Sequence, residues 1–380
     1  MKILADKNLP LIKELFSPFG DLSLISGRDI KNEDLEGVDA LVVRSTTEVS
    51  KNLLTNTSLK FVGTATSGID HISVDELAER GIFFADAKGC NANAVSDYCL
   101  SAVATLFGDK ISAGHILKFG IIGNGSIGSK LSGKIKALNW ETLICDPPQE
   151  NKGTKFLESV SYEPLQHLSS CDVISVHVPL TTSGQYPTKN LIDKTFLNSL
   201  SDKTVLINTS RGGVVDEESL LDSLNQNSQL ISVIDVWSGE PFCNQQLVEK
   251  SFIATPHIAG YSGKAKKTAS IKIFKEFCRC FNFDYSEVAS PHLKLENIPI
   301  RRDSSKFSDA INQVLPIMDF STEFKSLLRN SDKKDRAFIF DTLRLKISGR
   351  YEFCEYVAPE KLGQEETEFL FAAGFNSYRE

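Results

Sequence analysis

At 380 residues, with 41% apolar and 24% charged positions, the chain is long enough for two or three domains and has the composition of an ordinary globular protein. A net charge of −7 gives no electrostatic footprint for nucleic acid or an anionic membrane, so an anionic small molecule would have to be met by local cations. No stretch approaches the ~18 apolar residues of a membrane span. Met1-Lys2-Ile3-Leu4-Ala5-Asp6 runs straight into charge without a signal-peptide core, so a cytoplasmic protein is expected.

In chain order, short apolar runs at 2–5, 22–25, 39–43, 60–63 and 82–85 read as strands, and helical spacing appears at 10–16, 53–57 and 73–80. Such alternation predicts a parallel sheet with helices on both faces. A long apolar helix follows at 91–107. A second alternating unit runs through strands at 117–122, 141–145, 173–176, 204–208, 231–235 and 252–254, and a helix at 264–281 closes it. The stretch 290–303 reads as linker, and the last residues mix short helices with strands at 337–340 and 353–357. The expected fold is α/β: two doubly wound parallel-sheet domains, flavodoxin-like over 1–94 with a return helix about 264–282 and Rossmann over 95–263, plus a small α+β domain over 283–380.

The first chemical signal is Gly123-Asn124-Gly125-Ser126-Ile127-Gly128, which follows an apolar strand and opens a helix with Leu131, Ile135 and Leu138 at helical spacing. Gly123 permits the tight turn, Gly125 lets a pyrophosphate approach backbone N–H groups, and Gly128 lets helix pack close to strand. The next strand ends in Asp146, where an acid binds ribose hydroxyls. Pro147, Pro148 and Gln149 follow, with no Arg to pair a 2′-phosphate, so NAD is favoured over NADP.

Downstream stand Arg211-Gly212-Gly213, Asp235-Val236-Trp237-Ser238-Gly239-Glu240-Pro241 and Thr255-Pro256-His257-Ile258-Ala259-Gly260. Arg211 offers a planar fork for a carboxylate at any working pH. A histidine side chain titrates near neutrality, so that at His257 could exchange a proton with a hydroxyl or ketone oxygen. Glu240 beside it would favour the imidazolium and orient the ring. Together they suit hydride and proton transfer on a small 2-hydroxy acid. Of the eight cysteines, only Cys278 and Cys280 lie close in sequence and no C-x-x-C occurs, so buried, reduced thiols and no metal are expected.

These residues, with His177-Val178-Pro179-Leu180 and Asn208-Thr209-Ser210-Arg211, resemble the D-isomer-specific 2-hydroxyacid dehydrogenase family over roughly residues 1 to 282. Arg44-Ser45-Thr46-Thr47, the run from Lys60 to His71, Gly89 to Val95 and Cys145-Asp146-Pro147-Pro148 are similar to the branch of that family acting on 4-phospho-D-erythronate in vitamin B6 biosynthesis. The resemblance implies catalytic roles for Arg211, Glu240 and His257. It implies cofactor contacts at Gly123, Gly125, Ser126, Ile127, Gly128, Asp146, Val178, Thr209, Ser210, Arg211, Asp235 and Gly260, and substrate contacts at Ser45, Thr66 and Tyr261. Val178 stands where that branch often has Thr, so its contact would come from backbone. The tail resembles a dimerisation domain, which implies a homodimer, and Arg344 or Arg350 of a neighbouring subunit is a candidate cation for the substrate phosphate. A 3-phosphoglycerate or hydroxypyruvate/glyoxylate dehydrogenase would share the catalytic trio. A non-catalytic NAD-sensing protein of the same fold would be expected to lack one of the three.

Overall fold

Strands β1 (Lys2–Asp6), β2 (Asp21–Ile25), β3 (Ala40–Val43), β4 (Phe61–Thr64) and β5 (Phe83–Asp86) form a sheet of order β2-β1-β3-β4-β5, with every pairing parallel. The computed structural model describes residues 1–152, 161–284, 297–300, 304, 306–360 and 362–377. β3 and β4 are buried throughout, because both faces of a parallel sheet are covered. One face takes the helix Gly263–Phe281, whose Phe274 and Phe277 pack against Phe16 while Phe277 also meets Phe61. Gly63 allows this close approach: a Cβ there would lie 2.5 Å from Ile273 Cγ2. The other face buries Leu35, Val49, Leu54 and Leu77. The helix expected at 53–57 is a series of turns, and Asn56 at φ 55° in the left-handed region breaks it.

The second sheet contains β6 (Lys118–Ile122), β7 (Glu141–Cys145), β8 (Val173–Val176), β9 (Val205–Asn208), β10 (Ile231–Ile234) and β11 (Ile253–Ala254), in the order β11-β10-β9-β8-β6-β7 and parallel throughout. A bridge from Ile144 to Tyr162 adds a minimal strand beyond β7, which gives the dinucleotide-binding strand order. The helix Ala92–Ser112 supplies Val95, Tyr98, Leu100 and Val103 to the core under this sheet.

The tail contains the helices Phe307–Val314, Ile317–Arg329, Arg336–Ile347 and Gln364–Ala373, and the short strands β12 (Ile298–Pro299) and β13 (Tyr356–Val357), paired in parallel. It does not keep a separate core. Phe307, Ile311, Phe353 and Phe369 join the cluster of Phe119 and Ile121, while Phe324, Leu328, Phe340 and Leu343 join that of Ile174, Trp237 and Leu247. The chain accordingly divides into two compact units, 1–91 with 262–295, and 92–261 with 296–380. These boundaries differ from the three expected domains because the tail shares the nucleotide sheet's hydrophobic core. Residues 337–340, expected as a strand, belong to the helix Arg336–Ile347: Phe340, Leu343 and Ile347 recur at helical spacing and are its buried face. The expected strand 353–357 is a 3₁₀ turn, Phe353–Glu355, followed by β13. Of the expected linker, only 297–300 lies within the described residues, and β12 falls there.

None of the eight cysteines forms a disulfide. Burial pushes the thiols of Cys99 and Cys145 up to about 11 and those of Cys171 and Cys278 up to about 12, which makes them poor nucleophiles. Among the described residues no group of His, Cys, Asp and Glu could hold a metal ion, and no helix is long and apolar enough to cross a membrane.

Candidate active site

The glycine loop leaves β6 through Gly123 at φ +93°, where a Cβ would lie 2.8 Å from Val178 Cγ1 and 2.9 Å from the His177 carbonyl carbon. Gly128 is equally constrained, since a Cβ there would strike the Gly123 carbonyl oxygen. Gly125, at the N-cap of the helix Ser126–Ala137, differs: a Cβ would meet nothing within 4 Å. The first and third glycines are therefore needed for packing, and the second keeps the helix N-terminus, with Ser126 and Ile127, open to an anionic group. Asp146 accepts from the Asn124 N–H (2.6 Å) and the Gln149 N–H (3.0 Å), which fixes the acid at the end of β7 beside the loop. Asn124 Oδ1 is buried without a hydrogen-bond partner, an acceptor that a nucleotide could satisfy. The residues present fit a dinucleotide.

Arg211 lies in the turn after β9. Asn208 holds that turn: its Oδ1 accepts from the Ser210 hydroxyl (2.7 Å) and N–H (3.1 Å), and its Nδ2 donates to the Arg211 carbonyl (3.3 Å). Thr209 and Ser210 are buried, and Thr209 Oγ1 lies 3.4 Å from His177 Nδ1. Desolvation lowers His177 to about 3, so this imidazole is neutral at physiological pH. Gly212 presses the Arg211 turn onto the turn that carries Glu240, for a Cβ at Gly212 would collide with the Trp237 backbone.

Glu240 and His257 form the centre of this cluster, with Oε2 and Nδ1 2.8 Å apart. Glu240 Oε1 accepts from the Trp237 N–H (2.9 Å). Burial alone would push the Glu240 carboxyl up, but the His257 charge, its hydrogen bond, the Trp237 N–H and the Arg344 guanidinium together hold it below the ordinary carboxylate value. An ionised Glu240 requires the hydrogen on Nδ1, which leaves Nε2 as the atom able to exchange a proton.

His257 adopts φ 55°, a conformation that few non-glycine residues take. Asp235 sustains it. The Asp235 carbonyl accepts from the His257 N–H (2.7 Å), and its carboxylate accepts from Thr255 Oγ1 (2.6 Å), the Ile258 N–H (2.8 Å) and the Ala259 N–H (2.9 Å). Tyr98 completes the chain, its hydroxyl 2.6 Å from Thr255 Oγ1. Asp235 is 1% exposed. Expected as a cofactor contact, it also supports the His257 loop from within. Sequence reasoning missed Tyr98, and it named Arg350 only as a candidate cation for a phosphate; Arg350 Nη2 donates to the carbonyls of Ala94 (2.8 Å) and Ala259 (2.9 Å).

Gly260 and Tyr261 occupy the turn after this loop, where the Tyr261 N–H donates to the Ile258 carbonyl (2.9 Å). Ser262 then caps the helix Gly263–Phe281 by accepting from the Ala265 N–H (2.8 Å). Arg344 stands over the Tyr261 ring of its own chain, 4.9 Å from the centroid. Arg350, the other tail candidate, is occupied by the two backbone carbonyls.

In the first unit, Ser45 is exposed just past the carboxyl end of β3, and Thr66 follows β4. Thr66 Oγ1 donates to the Gly68 carbonyl (2.7 Å) and lies 2.7 Å from Thr64 Oγ1, which in turn is 2.9 Å from His71 Nε2. Both residues stand at the strand ends where parallel sheets bind ligands. Arg44 Nε is 2.7 Å from Asp6 Oδ2, a fully buried carboxylate.

A Rossmann sheet, a glycine loop and an Arg, Glu and His at its strand ends define the class of D-isomer-specific 2-hydroxyacid dehydrogenases, and residues 110–259 match the family profile "D-isomer specific 2-hydroxyacid dehydrogenase, NAD binding domain". The erythronate-4-phosphate dehydrogenases of Marinomonas sp. (strain MWYL1) and Hahella chejuensis are each 36% identical to this chain, over 99% of both lengths. That of Stutzerimonas stutzeri is 42% identical over 73% of this chain and 72% of its own. The NAD-bound 3-phosphoglycerate dehydrogenase of Entamoeba histolytica shares the fold at a TM-score of 0.61 with 22% identity, covering 77% of this chain and 99% of its own. The chain belongs to the erythronate-4-phosphate dehydrogenase family.

Proposed function

We propose that the protein oxidises 4-phospho-D-erythronate to 2-oxo-3-hydroxy-4-phosphobutanoate with NAD, a step toward vitamin B6. The observation that carries this reading is the 2.8 Å pair of Glu240 and His257 at the strand ends of a dinucleotide-binding unit, within a chain similar along its whole length to enzymes of that name. Arg211 grips the C1 carboxylate and orients C2. His257 Nε2 takes the C2 hydroxyl proton, and Glu240 stabilises the imidazolium that forms. NAD, when bound, accepts the hydride from C2. Gly123, Gly125, Ser126, Ile127 and Gly128 would hold its pyrophosphate and Asp146 its ribose, with Val178, Thr209, Ser210, Asp235 and Gly260 around the remainder. Ser45, Thr66 and Tyr261 would contact the acid.

The active form is a homodimer assembled through the tail, where Phe338 and Leu345 remain 74% and 70% exposed on one helix. We place it in the cytoplasm, where cysteines outside any disulfide stay reduced. The deciding measurement is kcat/KM on 4-phospho-D-erythronate, 3-phospho-D-glycerate and glyoxylate, with the product of the first identified by mass. Preference for the four-carbon acid supports the reading, whereas preference for either of the others transfers the enzyme to that substrate. No turnover of any of them favours an NAD-sensing role.

A further inference from the structure

Three features set Arg344 apart from a solvated surface arginine. Its guanidinium is laid over two rings, Tyr261 at 4.9 Å and Phe340 at 5.6 Å from Cζ to centroid. Its charge acts on Glu240 and helps to keep that carboxyl ionised. Its ion pair with Asp341, one turn earlier on the same helix, is long at 3.9 Å, and its Nε is buried without a hydrogen-bond partner. The side chain nevertheless keeps 23% of its surface exposed. A guanidinium fixed in its plane by aromatic faces, weakly paired and partly open to solvent, is prepared to receive a planar or multidentate anion.

We propose that Arg344 is a substrate-binding residue that receives the 4-phosphate of the acid in the same chain that supplies His257, and so sets specificity for a phosphorylated substrate. The proposal rests on the assignment of the site above. With Arg211 on C1 and His257 on the C2 hydroxyl, the phosphate is carried at the far end of the acid. A dianion brought near Glu240 meets a carboxylate, in a protein of net charge −7, and needs a cation there. Arg44 Nε serves the buried Asp6, and Arg350 Nη2 serves the carbonyls of Ala94 and Ala259. Arg344 already lies beside both Tyr261 and the field of Glu240. The Tyr261 ring fixes where its donors point, which explains a tyrosine at that position in physical terms.

The test compares wild type, Arg344→Gln and Arg344→Lys on 4-phospho-D-erythronate and on D-erythronate without the phosphate, with NAD binding followed by fluorescence. Arg344→Gln is expected to lower kcat/KM for the phosphorylated acid by about 10- to 100-fold, the range for a lost charge-assisted contact, mostly through KM. D-Erythronate turnover and NAD affinity should stay within a few-fold. Arg344→Lys keeps the charge without the fork and should fall between. In the wild type, phosphite dianion added with D-erythronate should raise its turnover, and in Arg344→Gln it should not. Equal losses on both acids, or no loss on the phosphorylated one, overturn the proposal. A wild-type enzyme indifferent to the phosphate overturns the functional reading itself, which separates the two failures.

Discussion

Arg350 Nη2 donates 2.9 Å to the carbonyl of Ala259, two residues past His257, and the same nitrogen lies 2.8 Å from the Ala94 carbonyl at the start of the long helix. A tail residue thereby supports the catalytic loop from below, while Asp235 supports it from the strand side. Desolvation lowers the pKa of this guanidinium, with Asp97, Glu352 and Asp235 acting in the opposite sense. Arg350→Lys replaces the planar Nη2 that reaches both carbonyls by a shorter, differently placed ammonium, so the loop should loosen. Its expected signature is a roughly tenfold fall in kcat, with NAD affinity little changed, at temperatures well below its Tm. An unchanged kcat in a folded variant would reduce Arg350 to a packing residue.

His257→Ala is expected to lose ~10²–10⁴-fold in kcat, the usual worth of a positioned acid–base group. Glu240→Gln should be milder and should change the pH profile. Glu240 is held below the ordinary carboxylate value, so it is ionised through the assay range and favours a protonated ring. Oxidation needs the neutral ring to accept the hydroxyl proton. Removing the carboxylate's charge therefore moves the acid limb of kcat/KM to lower pH. A limb that stays in place, or moves to higher pH, would show that Glu240 does not act through His257.

Asp146→Ala should weaken NAD and narrow the gap to NADP, if the carboxylate at the end of β7 accepts from ribose hydroxyls and repels a 2′-phosphate as proposed. The variant also frees the Asn124 N–H that Asp146 now accepts, so some loss with both cofactors is expected. The ratio of kcat/KM for the two cofactors is the discriminating quantity. If that ratio does not change, Asp146 is a cap for the Gly123 loop and does not select the cofactor.

The parallel strands were legible because a strand buried on both faces reads as a short apolar run, as Val173–Val176 does. The candidate cluster was legible because Arg211, Glu240 and His257 each sit in a short motif at a strand end. What supports it was not. Tyr98 reaches Thr255 across 157 positions, and Arg350 reaches Ala94 across 256, with no periodicity to mark either contact. The run Ala337-Phe338-Ile339-Phe340 reads as a strand because its residue types favour one, yet tertiary packing of Phe340, Leu343 and Ile347 selects the helix. Pooling of the tail's core with the nucleotide sheet depends on which faces meet, and sequence pattern shows only that such faces exist.

Phe338 and Leu345 stand seven positions apart on the helix Arg336–Ile347, hence on one face, and are 74% and 70% exposed. Leu327 and Phe371, also in the tail, are 40% and 43% exposed. Exposed apolar groups on one helix face, as Phe338 and Leu345 are, suit an interface, and a second copy of the chain is the occupant proposed above. Deleting the tail would be a poor test, since Phe307, Phe324, Phe353 and Phe369 would leave the core of the nucleotide unit with it. The double variant Phe338→Asp, Leu345→Asp instead changes only solvent-facing positions. Sedimentation should show a dimer for wild type and a monomer of 42.0 kDa for the variant, with Tm lowered modestly and NAD still bound. Because Arg344 meets Tyr261 of its own chain, the monomer should retain its preference for the phosphorylated acid. A variant that keeps the dimer's mass would place the interface on another face, and a wild type already monomeric would remove it.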